Sequence, residues 1–276
     1  MKIVSWNING LNNILLKAKN GYKHQKYSQN NVLSTLAKEV DPDIICLQEV
    51  RCSTSLELLT EYFEDIYPFI YINCCKSKKG YSGTALLSKF EPDNVYYDME
   101  MVYNDEDLND EGRIIRADFQ NFTVINVYTP NSKTNLERLE YRYSKWEPCF
   151  RDVIKFHKKR EIILCGDLNV AHNDIDLYSH NSNHYRPGYT DKERLSFGLL
   201  LHNMRMIDAF RYQHPKEIKY SWWSNFANSR EKNNGWRIDY FILDRTLIQY
   251  MNDCDILTEY YGSDHAPVYL DIEISA

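Results

Sequence analysis

The chain has 276 residues, 33 Lys and Arg against 39 Asp and Glu for a net charge of −6, and 43% hydrophobic residues. That size and apolar content suit one large layered domain or two ordinary ones, while the acidic balance argues against a protein held to nucleic acid by a broad basic surface. No apolar run reaches the length of a membrane crossing, and the cysteines show neither a Cys-x-x-Cys pair nor a zinc-finger rhythm.

Taken in chain order, residues 2–6 read as a strand. Positions 30–38 have helical spacing, with Val32, Leu33, Leu36 and Ala37 on one side, and Asp41-Pro42 closes that helix. Ile44-Ile45-Cys46-Leu47 is a short apolar strand, 56–63 a helix, and 83–88, 114–119 and 122–128 are strands. The stretch 138–159 reads as one long helix carrying Tyr141, Trp146, Phe150 and Phe156. A strand over 162–165 is followed by a polar, Asn- and His-rich loop over 174–191. A helix over 197–201, a strand over 237–243 and a final alternating strand over 267–274 complete the reading. Short strands, few helices and no regular βαβ cadence predict an α/β chain of two packed sheets flanked by helices, as a single domain over 1–276.

Cys46 and Cys165 sit inside apolar runs, where reduced, buried thiols are expected, and Cys74-Cys75 are poorly placed to bridge each other. Asn7 follows Met1 so closely that no cleaved leader is expected, which points to an intracellular protein, cytoplasmic in a prokaryote and nuclear in a eukaryote. Basic clusters occur at 17–26, 76–79 and 155–160, and residues 105–111 are acidic.

Polar groups recur where apolar runs end: Trp6-Asn7, Gln48-Glu49, Tyr128-Thr129-Pro130-Asn131, Gly166-Asp167-Leu168-Asn169 and Ser263-Asp264-His265. Singly, each is unremarkable, since an Asp after a strand usually caps a turn. Converging, they would be costly unless a metal and a substrate used them. Together they read as a site for metal-assisted phosphate ester hydrolysis. Glu49 and Asp264 are hard oxygen ligands suited to Mg²⁺. Asp167 can align and deprotonate water, and Asn169 can fix that water or a phosphate oxygen. His265 offers a cation or donor to the scissile phosphate, its tautomer held by Asp239. Tyr128 is a second candidate base, and the residues alone leave the choice open. Trp222-Trp223, Phe226 and Trp236, with Arg230, Lys232 and Arg237, could line a groove for a nucleotide or an extruded sugar.

An ordered set of motifs resembles the exonuclease III / AP endonuclease family of the endonuclease-exonuclease-phosphatase superfamily. They are Ser5-Trp6-Asn7-Ile8-Asn9-Gly10, Asp43-Ile44-Ile45-Cys46-Leu47-Gln48-Glu49, Gly80-Tyr81-Ser82-Gly83, Glu111-Gly112-Arg113 and Asn126-Val127-Tyr128-Thr129-Pro130-Asn131. They continue with Gly166-Asp167-Leu168-Asn169-Val170-Ala171-His172, Tyr220-Ser221-Trp222-Trp223, Gly235-Trp236-Arg237-Ile238-Asp239-Tyr240 and Gly262-Ser263-Asp264-His265. The resemblance spans essentially the whole chain. It implies a four-layer αββα sandwich and hydrolysis of DNA 5′ to an abasic site, leaving a 3′-hydroxyl, with Mg²⁺ or Mn²⁺. Exonuclease, 3′-phosphatase and 3′-repair diesterase activities accompany this in relatives. The expected substrate is double-stranded DNA with abasic sites or blocked 3′ ends, and the expected state a monomer away from membranes.

By the same resemblance Glu49 is the main metal ligand, Asn9 lies near the metal and Asp264 is a further ligand. Asp167 activates water with Asn169, His265 and Asp239 serve the scissile phosphate, Tyr128 lies beside it and Asn7 supports the arrangement. Trp222 and Trp236 wall the abasic-sugar pocket. Asn131 and Asn183 are carried over as DNA or abasic-site contacts, and Arg113 and Lys133 match positions associated with packing or DNA contact. Phe226, from the aromatic groove, and Arg186, where the chain departs from the family, are added as expected DNA or abasic-site contacts, Arg186 either binding phosphate or filling part of the pocket. The chain departs from the pattern in a longer, more basic 12–30 segment, an acidic 99–110 segment, Arg186-Pro187 for the commoner Asn-Ala, and Ala266 for Cys. Rival readings are a phosphatase of the same superfamily and a non-catalytic nucleic-acid binder.

Overall fold

The structure, a computed structural model, describes residues 1–16, 31–51, 55–156 and 160–276. Its strands in chain order are β1 (Lys2–Asn7), β2 (Ile44–Gln48), β3 (Phe69–Asn73), β4 (Thr84–Ser88), β5 (Asn94–Tyr97), β6 (Ile114–Asp118) and β7 (Phe122–Tyr128). Then come β8 (Glu161–Asp167), β9 (Met206–Asp208), β10 (Trp222–Trp223), β11 (Gly235–Trp236), β12 (Asp239–Asp244), β13 (Met251–Ile256) and β14 (Val268–Ile272). One six-stranded sheet has the order β13-β14-β1-β2-β4-β3, a second the order β5-β6-β7-β8-β12-β9, and β10 pairs with β11.

Alternation along the strands decides the layers. Ile3, Ile44, Cys46 and Leu86 of the first sheet meet Ile115, Val124, Ile163, Cys165 and Phe241 of the second in a shared core. Val4, Trp6, Ile45 and Leu47 face the other way, packing with Leu33 and Leu36 of helix Val32–Val40 and with Leu59 and Phe63 of helix Ser55–Phe63. Ile125, Val127, Ile162 and Leu164 turn outward to Phe150 and Val153 of helix Glu147–Lys155 and to Phe197 and Leu200 of helix Asp191–Met204. Successive side chains point to opposite faces, so each strand serves two cores and the four-layer αββα order results. With both faces covered, polar side chains converge most readily at strand ends.

Those ends coincide. In the parallel pair β1 and β2 the last partners are Asn7 and Gln48. In the parallel pair β7 and β8 they are Tyr128 and Asp167. Asp239 opens β12 opposite Asp167. Gly166 makes the last step possible: at φ 138°, a Cβ there would lie 1.9 Å from the Val127 carbonyl oxygen.

Most expected elements are present, with shifted limits. The helix expected over 138–159 is interrupted by a π turn at Arg142–Trp146, ahead of a helix that begins with Glu147 and Pro148. The helix expected over 197–201 is far longer, Asp191–Met204, because Thr190 and Glu193 form a capping box at its start. Strands β3, β5, β9, β10, β11 and β13 went unread. The edge strand β13 is rich in Asn and Asp, residues of low strand propensity. Cys46 and Cys165 are buried free thiols. The basic run at 17–26 lies outside the described residues. Among the described residues no helix is long and apolar enough to cross a membrane.

Gly166→Ala is expected to cost about 3 kcal/mol, since neither the backbone angle nor the Val127 carbonyl can accommodate a methyl group. Thermal or urea unfolding measures it, and an unchanged midpoint would refute the packing argument.

Candidate active site

Three of the turns that leave these strands are held in the left-handed region: Asn9 at φ 48°, Glu49 at 51° and Asn169 at 48°. Asn tolerates this conformation, whereas a Glu there stores strain of about 1 kcal/mol or more. The turns are pinned by Gly10 N donating to Glu49 O at 2.8 Å and by Thr129 N donating to Asp167 O at 2.9 Å.

Asn7 joins the two sheets. Its Nδ2 donates to Glu49 Oε1 at 3.2 Å and to Asp167 Oδ2 at 2.9 Å. Its Oδ1 accepts from Asn9 N at 3.1 Å, and Asn9 Nδ2 donates to Asp264 Oδ1 at 2.9 Å. Glu49, Asp167 and Asp264 thus share one site, as the strand-end pattern required. Tyr128 donates its phenol to Glu49 Oε1 at 2.7 Å. Asp167 also accepts from Asn169 N at 2.8 Å, while Asn169 is itself oriented by Asn131 Nδ2 and Thr129 O, each at 2.9 Å.

His265 Nδ1 lies 2.8 Å from Asp239 Oδ2 and its Nε2 3.9 Å from Asp167 Oδ2. Burial works against the imidazolium, but the Asp239 charge and hydrogen bond, with Asp167 and Asp264 behind them, raise its pKa to about 10. Burial and then the neighbouring Asp239 carboxylate lift Asp167 to about 7, against the opposing pull of His265. Burial pushes the Tyr128 phenol well above its usual range, and Glu49 adds to this. Asp264 stays below the ordinary carboxylate value despite burial, held there by His265 and by donors from Trp222 and Asn9.

Asp167, Asp239 and His265 are the one group among the described residues whose carboxylate and imidazole ligand atoms all lie within 4.8 Å of one another. Because His265 Nδ1 is already engaged by Asp239, that group reads better as an imidazolium–carboxylate pair than as a metal cage. The oxygen donors of Glu49, Asn9 and Asp264 fit a hard divalent cation better. Among the described residues the outer oxygen of Glu49, Oε2, is met only by the guanidinium of Arg51, at 2.7 Å.

Several groups that the sequence reading missed hold this arrangement. Ser221 Oγ accepts from Ile238 N and Asp239 N, each at 3.0 Å, and donates to Asp239 Oδ2 at 2.7 Å. Buried Arg142 donates to Leu168 O and Asn169 O, each at 2.8 Å, and pairs with Glu147 and Glu193. Arg230 donates to the carbonyls of Thr258, Tyr260 and Ser263 and stacks on Trp223, so it staples the turn that carries Asp264 rather than lining a groove.

Other expected residues are placed by their partners. Arg113 is 3% exposed, lies 4.6 Å below the Tyr128 ring and donates to Tyr128 O, Tyr81 and Glu111. It supports Tyr128, which is the packing alternative of the two expected for it. Arg237 is fully buried between Asp176 and Asp208, which leaves it no part in a groove, and Trp223 is core. Asn131 lies at the surface, but its amide is spent on Asn169 and on Lys133 N. Asn183 folds its own loop by donating to Ser179 O at 2.7 Å.

The remaining expected contacts stay on the rim. Lys133 and Arg186 are exposed, and Phe226 is 82% exposed. Half-buried Trp222 and Trp236 meet edge to face at 6.2 Å, with Trp222 also 6.5 Å from His265. A cavity of about 480 Å³ is lined by Lys78, Tyr81, Lys133 and Arg138 with Ser77 and Glu111.

Residues 4–265 match the Endonuclease/Exonuclease/phosphatase family, and the chain belongs to it. The resemblance drawn from the ordered motifs therefore holds. The chain is 41% identical over 276 residues to a protein of Bacillus subtilis named exodeoxyribonuclease, covering 99% of this chain and 100% of that one. It is 37% identical to the DNA repair nuclease APEX1 of Danio rerio, over 99% of this chain and 83% of that protein. The crystal structure of AP endonuclease LMAP from Leishmania major matches with a TM-score of 0.83 at 28% identity, over 99% of this chain and 88% of that one.

Ser221→Ala is expected to lower stability by about 2 kcal/mol, because two buried N–H groups and the Asp239 carboxylate lose their partner together. Chemical denaturation measures the loss. A variant as stable as the parent would show that water replaces the hydroxyl.

Proposed function

We propose that this chain is an AP endonuclease of base excision repair, with residues 1–276 acting as one catalytic domain. It hydrolyses duplex DNA on the 5′ side of an abasic site and leaves a 3′-hydroxyl. The observation that carries the reading is a buried Asp167 poised near neutrality, set between the amides of Asn7 and Asn169 and faced by a cationic His265. Relatives named exodeoxyribonuclease and DNA repair nuclease APEX1, each matched over 99% of this chain, support it.

Glu49, Asn9 and Asp264 would hold the metal, with Mg²⁺ the expected ion and Mn²⁺ its substitute. When bound, it polarises phosphoryl oxygens and offsets the charge of the leaving oxygen. Asp167, with its pKa near 7, takes the proton of the attacking water, whose oxygen forms the new bond to phosphorus. The bond from phosphorus to the 3′-oxygen breaks, that oxygen takes up a proton, and the phosphate stays with the abasic sugar. His265, kept protonated by Asp239, donates from Nε2 to a phosphoryl oxygen as negative charge gathers there. Of the two candidate bases, Asp167 is favoured: the Tyr128 phenol donates to Glu49, and its raised pKa keeps it neutral.

Trp222 and Trp236 form the apolar wall beside His265 that would receive an extruded abasic sugar, which has no base stacking to lose. Lys133, Arg186 and Phe226 would contact the duplex at the rim. The same groups suit 3′→5′ exonuclease and 3′-phosphatase reactions, which present the same phosphate. The protein is expected to act as a monomer.

The test is a denaturing gel on end-labelled duplexes that carry a tetrahydrofuran abasic analogue, a nick or no lesion, with and without EDTA, beside a soluble phosphomonoester. Metal-dependent incision at the analogue supports the reading, and turnover of the phosphomonoester alone defeats it. Asp167→Asn should lower the incision rate about a thousandfold. Glu49→Gln should retain DNA binding and lose most hydrolysis, and a wild-type rate would remove Glu49 from the reaction.

A further inference from the structure

Arg51 stands two residues beyond Glu49 and, among the described residues, is the one cation that touches it. Its Nη2 and Nε lie 2.7 and 3.2 Å from Glu49 Oε2, whereas Oε1 is already engaged by Tyr128 and Asn7. The backbone beneath the pair is fixed on both sides. Gly10 N donates to Glu49 O at 2.8 Å, Val50 N to Gly83 O at 3.1 Å and Arg51 N to Ser82 O at 2.8 Å. Both residues are left-handed, at φ 51° and 54°. The side chains are not equally fixed, since Arg51 is 43% exposed and Glu49 17%. A long, solvated side chain therefore covers the outward oxygen of a carboxylate that cannot move away.

We propose that Arg51 is a tethered counter-cation that occupies the metal-facing oxygen of Glu49 and is displaced when a divalent ion binds. The proposal rests on the reading of Glu49 as the principal metal ligand. An exposed ion pair of this kind is weak enough for a divalent ion to break. While it lasts, the guanidinium keeps Glu49 oriented and its charge balanced. Once released, the same guanidinium is free at the rim of the site, where a DNA phosphate can accept its fork. Metal loading and DNA binding would thus share one side chain, with rigid backbone on each side of it.

The test uses the full chain without DNA, titrated with Mn²⁺ alone while the electron paramagnetic resonance signal of free Mn²⁺ is followed. Arg51→Gln should bind Mn²⁺ about threefold more tightly than the parent, the size of effect an exposed pair can oppose. Arg51→Lys, which keeps the charge but not the two-pronged contact, should fall between them. Equal or weaker binding by Arg51→Gln overturns the proposal. So does a Lys variant that matches the parent while Gln binds more tightly, because charge alone would then account for the effect. Glu49→Gln separates the two levels of the argument and should abolish this binding. If it binds Mn²⁺ like the parent, the ligand reading of Glu49 fails and the Arg51 proposal falls with it.

Discussion

The site depends on one buried amide. Glu49 follows a strand of the first sheet and Asp167 ends a strand of the second, and the Asn7 side chain donates to both. Two carboxylates brought this close repel, and removing them from water adds a cost of several kcal/mol. Asn7 offsets part of that without adding charge, and His265 supplies the positive charge that the rest requires. If the sheets shifted relative to each other, Asn7 would lose one partner or the other. The catalytic geometry and the stacking of the two sheets are thus the same constraint seen at different scales.

A second set of interactions keeps the turns from relaxing. Arg142 holds the carbonyls of Leu168 and Asn169, and Glu193 holds Arg142, Ser132 and the backbone of Gly188 and Thr190. A single capping residue therefore ties the start of a helix to two loops at the site. Gln48 plays a comparable part deeper down, donating to Asn126 across the sheets at 2.7 Å while Asn126 donates back to Leu47 O and Ala85 O. Such buried polar ties cost free energy when incomplete and fix register when satisfied. Here they fix how the two sheets meet.

The surroundings divide by burial. Groups that would handle the reacting phosphate are buried on strand ends, whereas those that would handle the rest of a duplex are exposed on loops. Phe226, Lys133 and Arg186 belong to the second kind, and Arg51 stands between the two. This division suits a net-acidic protein with a polyanionic substrate, because on the proposed reading local cations at the rim and a metal in the site would meet the phosphates while the remaining surface would not.

Much of this was legible in the sequence because it follows from local patterns. Apolar runs of strand length, each ending in a carboxylate or amide, locate Asn7, Glu49, Asp167 and His265, and the ordered motifs supply the fold. The Thr190-x-x-Glu193 capping box was also readable, though the helix it starts was not read to its full length. Residue type alone misled for Arg237: an arginine near a site suggests a phosphate contact, yet burial and carboxylate partners decide which arginines meet solvent. Strand β13 was hidden because its pairing with β14, and not its own propensity, makes it a strand. The raised pKa values of Asp167 and Tyr128 were hidden for a similar reason, since a pKa depends on which groups share the burial. The sequence by itself determined which side chains exist and which face each one takes along its strand. Only the stacked sheets decided which of them meet, because the distances that set charge, hydrogen bonding and desolvation run between strands far apart in the chain.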